Sequence, residues 1–299
     1  LKSEIKNVDI KEANRMESSE LRVFQAVARE GSITKAAQKL GYVQSNVTAR
    51  IQQLESELGM VLFVRHNRGV SLSSSGKALL AYADKIVGLL DEAARVLSST
   101  DEPSGPLLIG STQTAAAVRL PALLASYYAR YPNVQLSLVT GLTPSLIEKV
   151  LQYELDGAFI GAIYDHPELR SMPVFEEELV IVSSPSLADL NDAVTKPVLV
   201  YSRGCTYRDI LEQWLHAKGL TQIVTMELGT LEAIIGGVAA GLGITLLPKS
   251  VIDKHETGGT VRTHAIPDHV NRMTTSFITR KDSFLSSAMR AFIDMLPVG

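Results

Sequence analysis

The sequence of 299 residues holds one cysteine, Cys205, and one tryptophan, and no apolar run comes near the roughly 18–20 residues that span a bilayer. A lone cysteine excludes an internal disulfide and fits a reducing compartment. The opening LKSEIKNVDIKEANR is polar and charged, without the apolar core of a secretory signal, so the expected location is the cytoplasm and no membrane partner is expected. The chain opens on Leu1, and a helical pattern begins at Met16; residues 1–15 are expected to be an extension or a remnant ahead of the folded part. The six histidines have no CxxC or HxxxH companion, so no metal is expected, and His264 and His269 in RTHAIPDH make a weak surface site at best. GLGITLLP lacks a third glycine and precedes a strand, so it is no nucleotide loop, and no cofactor is expected. No nucleophile–base pair and no paired carboxylates stand out, which argues against an enzyme.

Acid is missing in two places. None occurs between Glu30 and Glu55, where Lys35, Lys39 and Arg50 stand, nor between Glu57 and Asp84, where Arg65, Arg68 and Lys77 stand. The formal net charge of −3 hides this, because residues 1–100 carry 14 Lys and Arg against 11 Asp and Glu. Two acid-free windows in one segment point to a surface that faces a polyanion.

What is present has an order. Composition (45% hydrophobic, 20% charged) and length allow a large core and two or three domains. In residues 16–75, Leu21, Phe24, Val27 and Ala28 share one helical face that ends at Gly31. Ser32 can cap a short helix, Thr34–Leu40, and Gly41 turns the chain into a third helix from about Gln44 to Leu58 with Val47, Ile51, Leu54 and Leu58 inward. Two helices about a tight glycine turn, the second longer and basic, form a helix-turn-helix pattern. LFVRHNRGVSLS then reads as two strands whose turn lifts Arg65, His66 and Arg68 into a basic wing. Residues 74–98 read as one long helix, with Leu79, Ala83, Ile86, Leu90, Ala93 and Leu97 in a 3.5-residue seam that predicts self-association. SSTDEPSGP closes this segment, and residues 99–106 form the hinge.

From Leu107 strands and helices alternate, which predicts an α/β fold with a parallel sheet covered by helices. TAAAVRLPALLASYYARYP reads there as a single helix. Two similar lobes are expected, residues 107–178 with 272–299 and residues 179–271.

B-DNA's major groove admits an α-helix whose N-terminal side chains reach base edges. In the third helix these are Gln44, Ser45, Asn46, Thr48, Ala49 and Arg50, with Gln and Asn suited to adenine and Arg to guanine or phosphate. Lys35, Arg65 and Arg68 are expected on phosphates, and Arg50→Ala is expected to abolish specific binding with the fold intact.

The stretch FQAVAREGSITKAAQKLGYVQSNVTARIQQLESELGMVLFVRHNRGVSLSSSG resembles the LysR-type transcriptional regulators. "GS…AA..L", "V…I..LE..LG..LF.R" and the closing "S..G" match that family's pattern, and the resemblance runs from Met16 nearly to the C-terminus. Ser45 departs from the pattern, where many members carry Pro, and so does Val43, where Ser is common. The order of elements is most similar to Bacillus-type regulators. The resemblance implies a winged helix-turn-helix, a dimerising linker helix, and a two-lobe effector module similar to periplasmic solute-binding proteins, in homodimers or homotetramers on a partly palindromic operator.

In open α/β sheets ligands sit at the carboxyl ends of strands. Ser111, Thr112, Gln113 and Thr114 lie at such an end in the first lobe, and Arg203, Gly204, Cys205 and Thr206 at the matching end in the second. Hydroxyls and helix N-termini there suit a small anionic effector, with Arg203 or Arg208 as a bidentate partner and Thr230 as a further contact. Cys205 between Arg203 and Arg208 could also be a low-pKa thiol sensor. Two other readings stay open. A two-lobe binding protein or enzyme would show ligand affinity without salt-dependent DNA binding, and an architectural protein would bind every duplex equally.

Overall fold

A computed structural model describes residues 16–67, 69–98 and 102–297. Residues 1–15, Arg68 and the hinge residues 99–101 lie outside the described residues. The chain divides into two compact units at Ala93/Ala94.

In the first unit, α1 (Ser18–Glu30), α2 (Ile33–Leu40) and α3 (Gln44–Leu58) precede a hairpin of β1 (Phe63–His66) and β2 (Gly69–Leu72), and α4 (Ser74–Ser98) follows. Each boundary has a local cause. Glu17 and Glu20 close a capping box at the start of α1, and Gly31 ends it in the left-handed region at φ 60°. The Ser32 hydroxyl accepts the Lys35 N–H to start α2, one residue earlier than its sequence pattern indicates, and Gly41 at φ 69° turns the chain toward α3. Leu21, Phe24, Val27, Ala36, Ala37, Val47, Ile51 and Leu54 form one core with Leu62, Phe63 and Val70 of the hairpin. The Leu, Phe, Val and Ile side chains among these contribute about 1.5–3 kcal/mol each on burial.

Polar residues fasten the hairpin to that core. The Glu55 carboxylate accepts the N–H groups of Leu62 and Phe63 at 2.7 and 3.1 Å. Ser73 donates its hydroxyl to the Val61 carbonyl and accepts the Gly76 N–H. A Cβ at Gly76 would stand 2.1 Å from the Leu62 carbonyl oxygen, so the "S..G" pair marks a close approach only glycine allows.

The long helix α4 divides its seam. Ala83 is fully buried and Leu79 half-buried against the core of the first unit, whereas Ile86, Leu90, Ala93 and Leu97 are exposed. The early part of the seam therefore has a partner within its own chain, because α1 lies beside it: Gln25 donates to Asp84, Arg29 pairs with Asp84, and Arg22 pairs with Asp91.

The second unit runs β3 (Gly105–Ser111), α5 (Gln113–Val118), α6 (Leu120–Arg130), β4 (Val134–Thr140), α7 (Thr143–Leu151), β5 (Gly157–Ile160), β6 (Leu169–Ser183), α8 (Leu190–Ala193), β7 (Val198–Val200), α9 (Thr206–Ala217), β8 (Thr225–Glu227), α10 (Leu231–Ala239), β9 (Thr245–Pro248), α11 (Lys249–Thr257), β10 (Arg262–Ala265), β11 (Arg272–Arg280) and α12 (Ser287–Asp294). Two sequence expectations are corrected. The stretch read as one helix after Thr112 is two, parted at Arg119, because Pro121 has no N–H for a carbonyl one turn back. The sheet is mixed rather than parallel: β3 is parallel to β4 and β5, and β7 to β8, but β11 and β6 run antiparallel to their neighbours. These two are the strands that cross between lobes. β6 pairs with β11 through Glu178 and changes partner at Leu179, beyond which β9 and β10 flank it. Gly105 and Pro106, placed in the hinge from sequence, already belong to β3.

The apolar cores follow the same division, one built from residues 179–273 and two from residues 107–174 and 277–296. Among the described residues no helix is long and apolar enough to cross a membrane.

Candidate nucleic-acid interface and ligand cleft

α3 buries Val47, Ile51 and Leu54, so helical spacing leaves Gln44, Ser45 and Asn46 exposed and Thr48 and Arg50 half-exposed. Its N-cap is Val43, whose carbonyl accepts the Asn46 N–H at 3.1 Å but whose side chain offers no cap, so the departure at this position leaves that helix start without a side-chain acceptor. The polar side chains are oriented by neighbours. Thr34 donates to Gln44 Oε1 at 3.1 Å, and the Thr48 hydroxyl donates to the Gln44 carbonyl at 3.0 Å. Arg50 Nε donates to Asn46 Oδ1 at 2.9 Å, its Nη1 reaches the Ser19 hydroxyl at 3.3 Å, and its guanidinium lies 5.5 Å from the Tyr42 ring centroid. Lys35 is exposed at the start of α2, and Lys39 pairs with Glu30. On the wing Arg65 and His66 are exposed, and Arg68 lies outside the described residues. Gly69 seats this hairpin at φ 134°; a Cβ there would come within 2.3 Å of the Gly31 carbonyl oxygen.

The second unit contains a cavity of about 280 Å³ between its lobes. Thr112, Gln113 and Thr114 line it from the first lobe, with Gly141, Leu142, Thr143 and Gly161; Cys205 and Thr206 line it from the second, with Tyr201, Ser202, Tyr207, Glu227, Leu228 and Gly229. The N-caps of α5, α7 and α9 (Thr112, Leu142 and Cys205) make no side-chain cap, so three helix starts meet the cavity with first-turn N–H groups lacking a side-chain acceptor. Polar bonds already join the lobes. Gln113 donates to the Gly229 carbonyl at 3.3 Å and accepts the Leu231 N–H at 3.1 Å, and Thr114 shares a 2.8 Å hydrogen bond with the buried Tyr207 hydroxyl. Burial pushes the Tyr207 phenol well above its ordinary range.

Comparison with known proteins decides the family. Residues 18–77 match the bacterial regulatory helix-turn-helix protein family, lysR type, and residues 100–297 match the LysR substrate binding domain. The chain belongs to the LysR family of transcriptional regulators. YusT of Bacillus subtilis (strain 168), an uncharacterized HTH-type transcriptional regulator, is 67% identical over 279 residues, 93% of this chain and 95% of that protein. The HTH-type transcriptional regulator GltR of the same organism is 49% identical over 276 residues, 91% of this chain and 93% of that one. Full-length CbnR complexed with its target DNA shares the fold at a TM-score of 0.67 and 22% identity, covering 94% of this chain and 99% of that one. This LysR regulator thus binds DNA through its helix-turn-helix and carries an effector-binding domain; it is not an enzyme.

Several expectations for the regulator's cleft are corrected. Ser111 is fully buried and donates to the Thr112 carbonyl, so its hydroxyl does not reach the cavity. Arg203 is exposed and lines a separate outer hollow with Arg208, Asp209 and Glu212. Arg208 is spent on Glu212, Glu227 and the Tyr201 carbonyl, so it has no fork to offer an anion. Gly204, at φ 95°, leaves room for Pro144, which a Cβ would approach to 3.2 Å. The Thr230 hydroxyl caps α10 by accepting the Ala233 N–H. Cys205 lines the cavity, but burial pushes its thiol up, opposite to the shift a sensor needs. His264 spends Nε2 on buried Ser183 at 2.8 Å, which removes it from the surface pair with His269.

Apart from Tyr207 in the first turn of α9, the lining residues not anticipated from sequence share a position. Gly141–Thr143, Gly161, Tyr201–Ser202 and Leu228–Gly229 each follow a parallel strand (β4, β5, β7 and β8), and Glu227 ends one. Applying the strand-end rule to every strand instead of two would have found them.

Proposed function

We propose that this regulator works in the cytoplasm as a one-component transcription factor, binding a partly palindromic operator as a homodimer or homotetramer under control of a small anionic effector. The observation that carries the reading is the exposed, acid-free first turn of α3 beside the basic wing. Gln44, Ser45, Asn46, Thr48 and Arg50 act at base edges or position groups that do, and Lys35, Arg65, His66 and Arg68 act on phosphates. Self-association is supported by Tyr82, Ile86, Leu89 and Leu90, which leave an apolar stripe of α4 exposed.

The effector binds between the lobes, at Thr112, Gln113, Thr114, Cys205 and Thr206. Glu227 is the one charged side chain of the lining among the described residues, and it is paired with Arg208. An anion there meets helix N-termini and neutral hydroxyls with no unpaired cation in the lining among the described residues, which suits a single carboxylate and disfavours a dianion. Effector control requires different affinity for two arrangements of the lobes, and only that difference can change operator occupancy.

The test is sequencing of genomic fragments retained by the full chain at about 150 mM salt, where non-specific contacts weaken. Enrichment of a few partly palindromic sites is the expected result. Uniform retention would favour an architectural protein, and no retention a binding protein without a DNA role.

A further inference from the structure

One amide at the start of α3, that of Asn46, has lost its freedom to turn. Arg50 carries only N–H groups, so the Asn46 atom 2.9 Å from its Nε is the carbonyl oxygen, and the two amide N–H groups point away from the guanidinium. Arg50 is itself held from two further sides, by Ser19 at the start of α1 and by the Tyr42 ring. Swinging it aside would give up three contacts for one. Asn46, in contrast, is exposed. Gln44 has no such constraint, because the Thr34 hydroxyl that donates to its Oε1 could equally accept from its amide nitrogen. At Asn46 the first turn of the recognition helix therefore shows donors outward and keeps the amide oxygen for the protein.

We propose that Asn46 reads hydrogen-bond acceptors in the major groove, guanine O6 and N7 or thymine O4, and that Arg50 is the positioning residue that denies it adenine. An Asn–adenine pair needs the amide oxygen to accept from N6 while the amide nitrogen donates to N7. Here that oxygen lies against a cation that draws off its charge, and adenine's N6–H would approach alongside the guanidinium's own N–H. Guanine and thymine present acceptors and need no such oxygen. The inference rests on the DNA-binding role proposed above and goes beyond it, since it reverses the base preference that an unrestrained asparagine would have.

Binding-site selection from a random duplex library tests it, with the full chain, Asn46→Ala, Asn46→Asp and Arg50→Ala. The base pair whose selection weakens about tenfold or more in Asn46→Ala is the one Asn46 reads. The wild type is expected to select guanine there, or an A·T pair that tolerates replacement of adenine by purine, which lacks the N6 amino group. Asn46→Asp keeps the acceptor for Arg50 but has no N–H, and is expected to lose the preference. Arg50→Ala frees the oxygen and, in place of the loss of specific binding expected from sequence alone, is expected to retain selection and to admit adenine. Selection of adenine by the wild type with loss of binding to the purine duplex would overturn the proposal while leaving the regulator intact. So would a base preference indifferent to Asn46. No enriched sequence at all would overturn both this inference and the reading on which it rests.

Discussion

The recognition helix and the cleft are both made where helices begin, yet they treat their polar side chains in opposite ways. On α3 the groups face outward, and neighbours only set their direction: Thr34 orients Gln44, and Arg50 orients Asn46. Around the cleft the groups are consumed by one another. Thr114 is bound to Tyr207, Gln113 to the backbone at Gly229 and Leu231, and Arg208 to two carboxylates. An outward group costs the fold little and is available to a partner. A paired, buried group stabilises one arrangement of the lobes and must be displaced or completed before a ligand uses it.

Breaking an inward pair should therefore cost stability, and breaking an outward one should cost binding. The largest effect is expected at Glu177. It is buried beside the lobe crossing, accepts two bonds from Arg119 at 2.7 and 2.9 Å, and accepts a third from Ser250 of α11. Glu177→Ala removes the carboxylate that Arg119, itself one-third exposed, and Ser250 share, and should lower the stability of the second unit by about 2–3 kcal/mol. The urea midpoint followed by fluorescence of Trp214, buried in α9, reads this. An unchanged midpoint would mean that the lobes are held without this pair.

Next comes the outward case. Gln44→Ala should cost about 1–3 kcal/mol of operator discrimination with no shift in thermal midpoint, measured by anisotropy on operator and scrambled duplexes together with calorimetry. A fall in thermal midpoint instead would place Gln44 among the structural groups and blur the contrast. Tyr207→Phe leaves Thr114 without its buried partner and should cost about 1 kcal/mol in the same Trp214 measurement.

The contrast explains what was legible in the sequence. Helix period alone decides that Val47, Ile51 and Leu54 face in and that Gln44 and Asn46 face out, so the α3 surface could be read from spacing. Glycines at 31 and 41 marked the ends of α1 and α2 for the same local reason, a left-handed backbone. The cleft was half legible. Strand ends at Thr112 and Cys205 were found, but the tie of Arg208 to Glu227, nineteen residues away, depends on tertiary pairing that no local pattern carries. The strands and the lobe crossing at β6 and β11 were read from sequence, but their antiparallel sense was not, because strand direction depends on the crossing between lobes and leaves no mark in local pattern.

The smallest effect separates titration from reactivity. Burial raises the Cys205 thiol, so the folded chain holds its proton where the unfolded chain has lost it. Stability from this group is full below the ordinary thiol value and declines as pH rises above it. A thiol reagent should accordingly react slowly with the native chain near pH 7 and quickly after unfolding. Fast reaction of the native chain would restore the sensing role that the cleft geometry opposes.

The most direct test of the account is the affinity of the full chain for an enriched operator and for a scrambled duplex, each followed across a range of salt. The account predicts a preference for the operator of about a thousandfold or more, falling affinity with salt on both duplexes, and a salt slope reduced by about one in Arg65→Ala. Equal affinity for the two duplexes at every salt concentration would contradict it.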